Sequence, residues 1–258
     1  PLTALITLLL IWLYTRRSGV KTIVRTDALQ TLCMLLALGG ILWAVISRLG
    51  LDFHGVLATV SQSPLSRIFA WEGTQSFWRQ FFSGIVIVIV MTGLDQDMMQ
   101  KNLTCKNLCE AQKNMCSYGL SFLPVNLIFL VLGILLFTFC ARQSIAIPEQ
   151  TDRLLPMLVS NGSLGSIVIF PFTIGIVAAA FSSADSAITA LTTSCCIDLI
   201  GVERHNWEQA RQERTRKIVH ILMSITFFAA ILLFRAINST NVINAIYVMA
   251  SYTYVPLL

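Results

Sequence analysis

From Leu164 to Ile200 the only charged side chains are Asp185 and Asp198, and no other stretch limits the fold of this chain so severely. Wound as a helix rising 1.5 Å per residue, the run would be about 55 Å long. Hydrocarbon is about 30 Å thick, so such a helix crosses a bilayer and must tilt or continue beyond it. Four more apolar runs are long enough to span: roughly Ile23 to Leu49, Phe77 to Met98, Cys116 to Arg142 and Ile218 to Ala236. The chain opens inside the apolar run Leu2 to Tyr14 and stops inside another at Leu258, as if cut through a helix at both ends. About seven helices are therefore expected, in one transmembrane domain over residues 1–258 of all-α, polytopic bundle architecture. Composition agrees, because 55% hydrophobic against 12% charged residues leaves too few polar side chains to cover a soluble surface.

Charge gives orientation. If the loops alternate sides, twelve of the 18 Lys and Arg fall on one side, among them Lys21, Arg25, Lys101, Lys106, Lys113 and Lys217. The positive-inside tendency assigns that side to the cytoplasm, and the Leu164–Ile200 run then passes from outside to inside. The basic residues do not interleave with aromatics as a nucleic-acid groove requires, so no nucleic-acid partner is expected. The seven cysteines lie in or beside apolar stretches without a disulfide framework or the paired repeats of zinc modules, and reduced thiols are expected. On the outer side, Asp52–Gln75 is long enough to carry structure. Ile147–Val159 spaces Ile147, Leu154, Leu155 and Leu158 like an amphipathic helix.

The long run concentrates polar groups at membrane depth, in Ala178-Ala179-Ala180-Phe181-Ser182-Ser183-Ala184-Asp185-Ser186. Ala179, Ser182, Ser183 and Ser186 follow i, i+3, i+4 and i+7, so one carbonyl and three hydroxyls converge on one face, the oxygen set a bare cation needs. Close packing through small residues, with serines bonded back to their own helix, accounts for the alanines and a serine or two. It does not account for Asp185, whose ionised form at the bilayer centre costs at least about 2.5 kcal/mol unless paired. Asp27 lies in the first turns of its span, where it either caps the helix or serves a site. Asp95 and Gln96 follow Thr92 and Gly93 near the inner end of another span, and Gly93 is placed to loosen the backbone there. Pro124 and Pro171 interrupt two further spans, while His220 reads as a hydrogen-bonded structural histidine.

Three segments in order and spacing resemble the sodium:solute symporter family: Thr26-Asp27-Ala28-Leu29-Gln30, Gly93-Leu94-Asp95-Gln96 with Gln100, and Ala178 to Ser186 with Asp198 downstream. The resemblance implies a five-plus-five inverted-repeat transporter core whose first and sixth helices break near mid-membrane. The chain would run from about core helix four to nine or ten, with Leu164–Ile200 as helix eight. It further implies sodium as coupling ion, held by the Ala179 carbonyl with the Ser182 and Ser183 hydroxyls and by ligands from core helix one. A second sodium site is implied at Asp27, Ser182, Asp185 and Ser186, where Asp185 replaces the serine often found in the family. Sugar-carrying members place aromatics before the Gly-x-Asp/Asn-Gln segment, whereas here those positions are Val90, Met91 and Thr92. A monosaccharide is thereby disfavoured, and an amino acid, carboxylate or other small organic solute stays open, with Met91 and Thr92 as substrate contacts. The expected partners are that solute, sodium and the lipid bilayer of the cell membrane, crossed several times. Two alternatives compete: a sensor with the same fold joined to a signalling domain, and an intramembrane protease using Asp95 and Asp185 as acid and base. The second lacks a glycine beside Asp95 and a Tyr-Asp partner, so no enzyme is expected.

Overall fold

The computed structural model describes residues 2–15, 20–67, 69, 71, 73, 76–202, 207–237, 249 and 252, and among them every regular element is helical. The protein is an all-α, polytopic helical bundle. In chain order the helices are α1 (Leu2–Thr15), α2 (Val20–Leu49), α3 (Phe53–Gln62), α4 (Phe77–Gly93), α5 (Gln96–Leu103), α6 (Leu108–Arg142), α7 (Leu154–Ser160), α8 (Ile169–Ser194) and α9 (Gln209–Ile237). Four segments are long and apolar enough to cross a membrane: Val24–Leu49, Leu108–Arg142, Ser166–Leu199 and Gln209–Phe234. Large apolar side chains such as Leu36, Trp43, Leu120 and Phe170 stand exposed on these helices, as expected where lipid is the solvent. The apolar run closing at Leu258 lies outside the described residues apart from Met249 and Tyr252.

The structure departs from the sequence expectation most at the span foreseen from Phe77 to Met98. There α4 stops at Gly93 and a separate short helix starts after Asp95. The Asp95 carboxylate accepts the Met98 backbone N–H at 3.0 Å, taking up one of the amides that a helix start leaves without a partner. Pro171 lies in the first turn of α8, entered through a 3-10 turn at Ser166–Val168, and there its missing N–H costs no intrahelical bond. Pro124 is inside α6. On the outer side, Asp52 caps α3 through the Gly55 N–H at 2.7 Å. The amphipathic segment is shorter than its spacing implied, with Leu154, Leu158 and Val159 buried and Ile147 exposed.

The described residues fall into two compact units, with α2, α6 and α8 contributing to both. One takes in residues 35–93 and 112–175. Its core gathers Val45 of α2, Leu135 of α6, Leu158 of α7 and Val168, all fully buried, with Phe139 and Leu164 around them. At its edge the Arg142 guanidinium donates to the Leu49 carbonyl at 3.1 Å, serving an acceptor at the end of α2. Gly165, at φ +94°, lies so close under Arg48 that a Cβ would stand 2.7 Å from its Nη2.

The other unit takes in residues 1–34, 94–111 and 176–239. Ile11 of α1 and Ile188 of α8 are fully buried there, with Leu8 and Ala184 beside them and Phe181, Phe227 and Phe228 packed around. The end of α8 widens into a π-turn at Cys195–Leu199, and Cys196 packs with Val202 and Val219 of α9. Large-to-small truncation tests the first unit's core. Leu158→Ala should cost about 2–5 kcal/mol, read as a lowered melting temperature in detergent, and an unchanged melt would show that α7 is not part of it.

Candidate functional site

The site lies entirely within the unit built from residues 1–34, 94–111 and 176–239. Helix α8 supplies the first layer. Ser182, Asp185 and Ser186 follow i, i+3 and i+4, so they share one face of the helix. Asp185 is fully buried and Ser186 nearly so, whereas Ser183, one position round from Ser182, is exposed. Helix α2 supplies the second layer. The Ser182 hydroxyl donates to Asp27 Oδ1 at 2.9 Å, and the Ser186 hydroxyl makes a longer bond of 3.4 Å to Asp27 Oδ2. Asp27 is thus no helix cap, since its two oxygens answer two hydroxyls more than 150 residues along the chain.

Helix α5 brings the cation. Lys101 Nζ lies 2.7 Å from Asp27 Oδ2, 2.7 Å from Asp97 Oδ2 and 3.0 Å from Ser186 Oγ. An ammonium carries three N–H donors, and all three are satisfied by oxygens from α2, α5 and α8. Burial alone would lower the pKa of Lys101, but hydrogen bonds and charge attraction from Asp97 and Asp27 outweigh it, and the net shift is upward. Two carboxylates against one ammonium give the triad a formal charge of one minus. Close by in the sequence of the same helices, Gln30 Oε1 and Gln100 Nε2 are buried atoms with no hydrogen-bond partner among the described residues.

The second implied sodium site, Asp27, Ser182, Asp185 and Ser186, therefore brings Asp27, Ser182 and Ser186 into direct contact, with a tethered ammonium among their oxygens. The first, Ala179, Ser182 and Ser183, is not assembled in this way: the Ser182 hydroxyl turns to Asp27 and Ser183 is exposed. Among the described residues no group of three or more His, Cys, Asp and Glu is placed to hold a metal ion. In the other unit, the Thr92 hydroxyl bonds back to the Val88 carbonyl at 2.6 Å and Val90 is buried; the Met91 side chain lies outside the described residues. His220 is buried on α9 with Nδ1 3.3 Å from the Thr192 hydroxyl, in keeping with a structural histidine. Asp198 accepts from Ser194 at 2.6 Å at the exposed end of α8.

No protein-family model matches the chain, and no solved structure matches it significantly. What the cluster can do is read from its atoms: oxygens from three helices hold one monovalent cation, two of its ligands being carboxylates and the third a neutral hydroxyl.

Lys101 and Asp97 entered the sequence reading as a loop charge and an unremarked acid. Their signal was the i, i+4 Asp–Lys spacing directly after a glycine-loosened span. The upward shift of Lys101 has a defined pH signature. A group whose folded pKa is raised contributes stability fully below its ordinary pKa of 10.5, lost only as pH climbs through the higher folded value. The melting-temperature gap between the native protein and Asp27→Asn should therefore stay constant from neutral pH to pH 10.5 and narrow above it. A gap that closes near neutral pH would show that the Asp27–Lys101 pair does not supply it.

Proposed function

We propose that the protein is part of a sodium-coupled symporter that carries a small organic solute across the cell membrane by alternating access. The observation that carries this reading is the convergence of the Asp27 carboxylate and the Ser186 hydroxyl on one cationic nitrogen, with the Ser182 hydroxyl bound to the other oxygen of Asp27. Membrane helices rarely bury such groups without an ion or proton to handle. A second feature supports it: the break between α4 and α5 at Leu94–Asp95 is the kind of discontinuous helix that lines transporter sites, where freed backbone groups meet ions and polar solutes.

Coupling requires sodium to bind one access state better than the other, because a ligand shifts an equilibrium only through its differential affinity. In this reading sodium on the α8 oxygens favours the outward-facing state, solute then binds, and closure carries both inward. The solute class is an amino acid, a small carboxylate or a comparable polar molecule, and Met91 and Thr92 of α4 are the residues assigned to it. The test uses the full-length protein in proteoliposomes, with labelled amino acids and short carboxylates and a sodium gradient against an equal potassium gradient. Sodium-driven accumulation of one solute class is the expected result, and uptake indifferent to sodium overturns the reading. With a transported solute in hand, Ser182→Ala should raise the sodium concentration for half-maximal uptake about tenfold, equivalent to about 1.4 kcal/mol. The variant should elute and melt like the native protein, and an unchanged sodium requirement removes Ser182 from the ion's ligands.

A further inference from the structure

We propose that Lys101 is a built-in competitor for a free monovalent cation: its ammonium occupies the Asp27 and Ser186 oxygens in this conformation, and a free ion enters only when α5 withdraws it. The inference rests on the symporter reading only in naming sodium as that ion.

Three observations carry it. First, the contact is as close as a direct ion pair allows. With Nζ 2.7 Å from Asp27 Oδ2 and 3.0 Å from Ser186 Oγ, a second cation using the same two oxygens would sit against the ammonium, and like charges at such range exclude one another. Occupancy is therefore one or the other.

Second, Lys101 has a partner that travels with it. Asp97 is on the same helix at i−4, with Oδ2 2.7 Å from Nζ. When α5 moves, Lys101 and Asp97 leave as a pair, so the lysine's charge stays compensated, and Asp27 on α2 is the carboxylate left to be neutralised. Without Asp97, withdrawal would strand both charges; with it, only Asp27 is stranded, and a free cation answers that.

Third, the surroundings hold an acceptor that no side chain uses. Gln30, one turn along α2 from Asp27, has a buried Oε1 with no hydrogen-bond partner among the described residues. A neutral oxygen one helical turn from Asp27 is an acceptor open to a cation's ligand set, and a lysine with all three donors already taken has no use for it. The mobile part is also defined. Helix α5 has eight residues, follows the break at Leu94–Asp95 and ends in a turn at Thr104, so the chain on both sides of it is already released from helical continuity.

The test reads sodium and lysine separately, on full-length protein in nanodiscs. In the first arm, binding of radioactive sodium is compared for native protein, Lys101→Met, Lys101→Arg and the double variant Lys101→Met/Asp27→Asn. Removing a competitor that fills the site about nine-tenths of the time tightens apparent sodium binding about tenfold. That gain should appear in Lys101→Met, be absent in Lys101→Arg and vanish in the double variant. In the second arm, which needs no variant and stands if Lys101→Met fails to fold, amine acylation at Lys101 is followed by mass spectrometry in sodium and in an equal concentration of choline. Sodium should speed acylation of Lys101 severalfold while leaving Lys113 unchanged. Sodium-independent labelling of Lys101, or a folded Lys101→Met whose sodium binding matches native protein, overturns the proposal. Sodium-dependent labelling in a protein whose solute uptake ignores sodium upholds the exchange and sinks only the transport reading.

Discussion

A carboxylate within a membrane-spanning helix is tolerable only if something answers its charge, and the site depends on that constraint. Asp27 lies four residues into the apolar part of α2, with a side chain only 15% exposed. Left alone it would face a desolvation cost of several kcal/mol. Lys101 answers the charge from α5, and Ser182 and Ser186 answer the lone pairs that Lys101 does not reach. The pairing is of the kind that is weak as a source of stability and strong as a specifier of geometry. It requires α2, α5 and α8 to meet at one register, because a slip of one residue on α8 would turn Ser182 and Ser186 away together.

Why the span foreseen as continuous from Phe77 to Met98 is broken follows from the same constraint. A helix continued through Asp95 and Asp97 would carry two carboxylates along an otherwise apolar rod. The break at Leu94–Asp95 turns the first into a cap on the Met98 N–H and leaves the second in the first turn of α5, where the positive end of the helix dipole favours an acid. The polar residues that would destabilise one long span thus become the residues that start a short helix.

Much of this was legible in the sequence. Apolar runs gave α2, α6, α8 and α9 with ends displaced by up to nine residues, since hydropathy marks the span in lipid, while the polar and basic residues at Leu108–Met115 and Gln209–Lys217 extend the helices past it. The i, i+3, i+4, i+7 rhythm of Ala179, Ser182, Ser183 and Ser186 included two of the hydroxyls that meet Asp27, and the symporter resemblance put Asp27 beside them. What could not be read was the identity of the cation. Nothing in linear order links Lys101 to Asp27, 74 positions earlier, or to Ser186, 85 positions later, and in a chain with 18 basic residues a lysine after a span looks like one more cytoplasmic anchor. The exposure of Ser183 was equally hidden, because an i, i+1 pair of serines looks alike in sequence but points about 100° apart around the helix.

The short helix that carries Lys101 is stable for reasons that also make it easy to move. Eight residues are too few to form a helix unaided in water, where nucleation outweighs what so few hydrogen bonds return. Besides the Lys101 contacts to Asp27 and Ser186, what holds α5 is local: the Asp95 cap, Asp97 in the first turn, Lys101 in the last, and the Asp97–Lys101 pair along its side. None of its residues is buried. An element held by its own caps and charges, with no apolar core of its own, can leave its neighbours as an intact unit and return. Long apolar helices such as α6 and α8 cannot, because their side chains are locked into the clusters around Leu135 and Ile188. The residues at the cation are therefore divided by what holds their helices: Asp27, Ser182 and Ser186 lie on long helices that contribute to buried clusters or span a membrane, and Lys101 with its own counter-ion lies on a short helix with no buried residue.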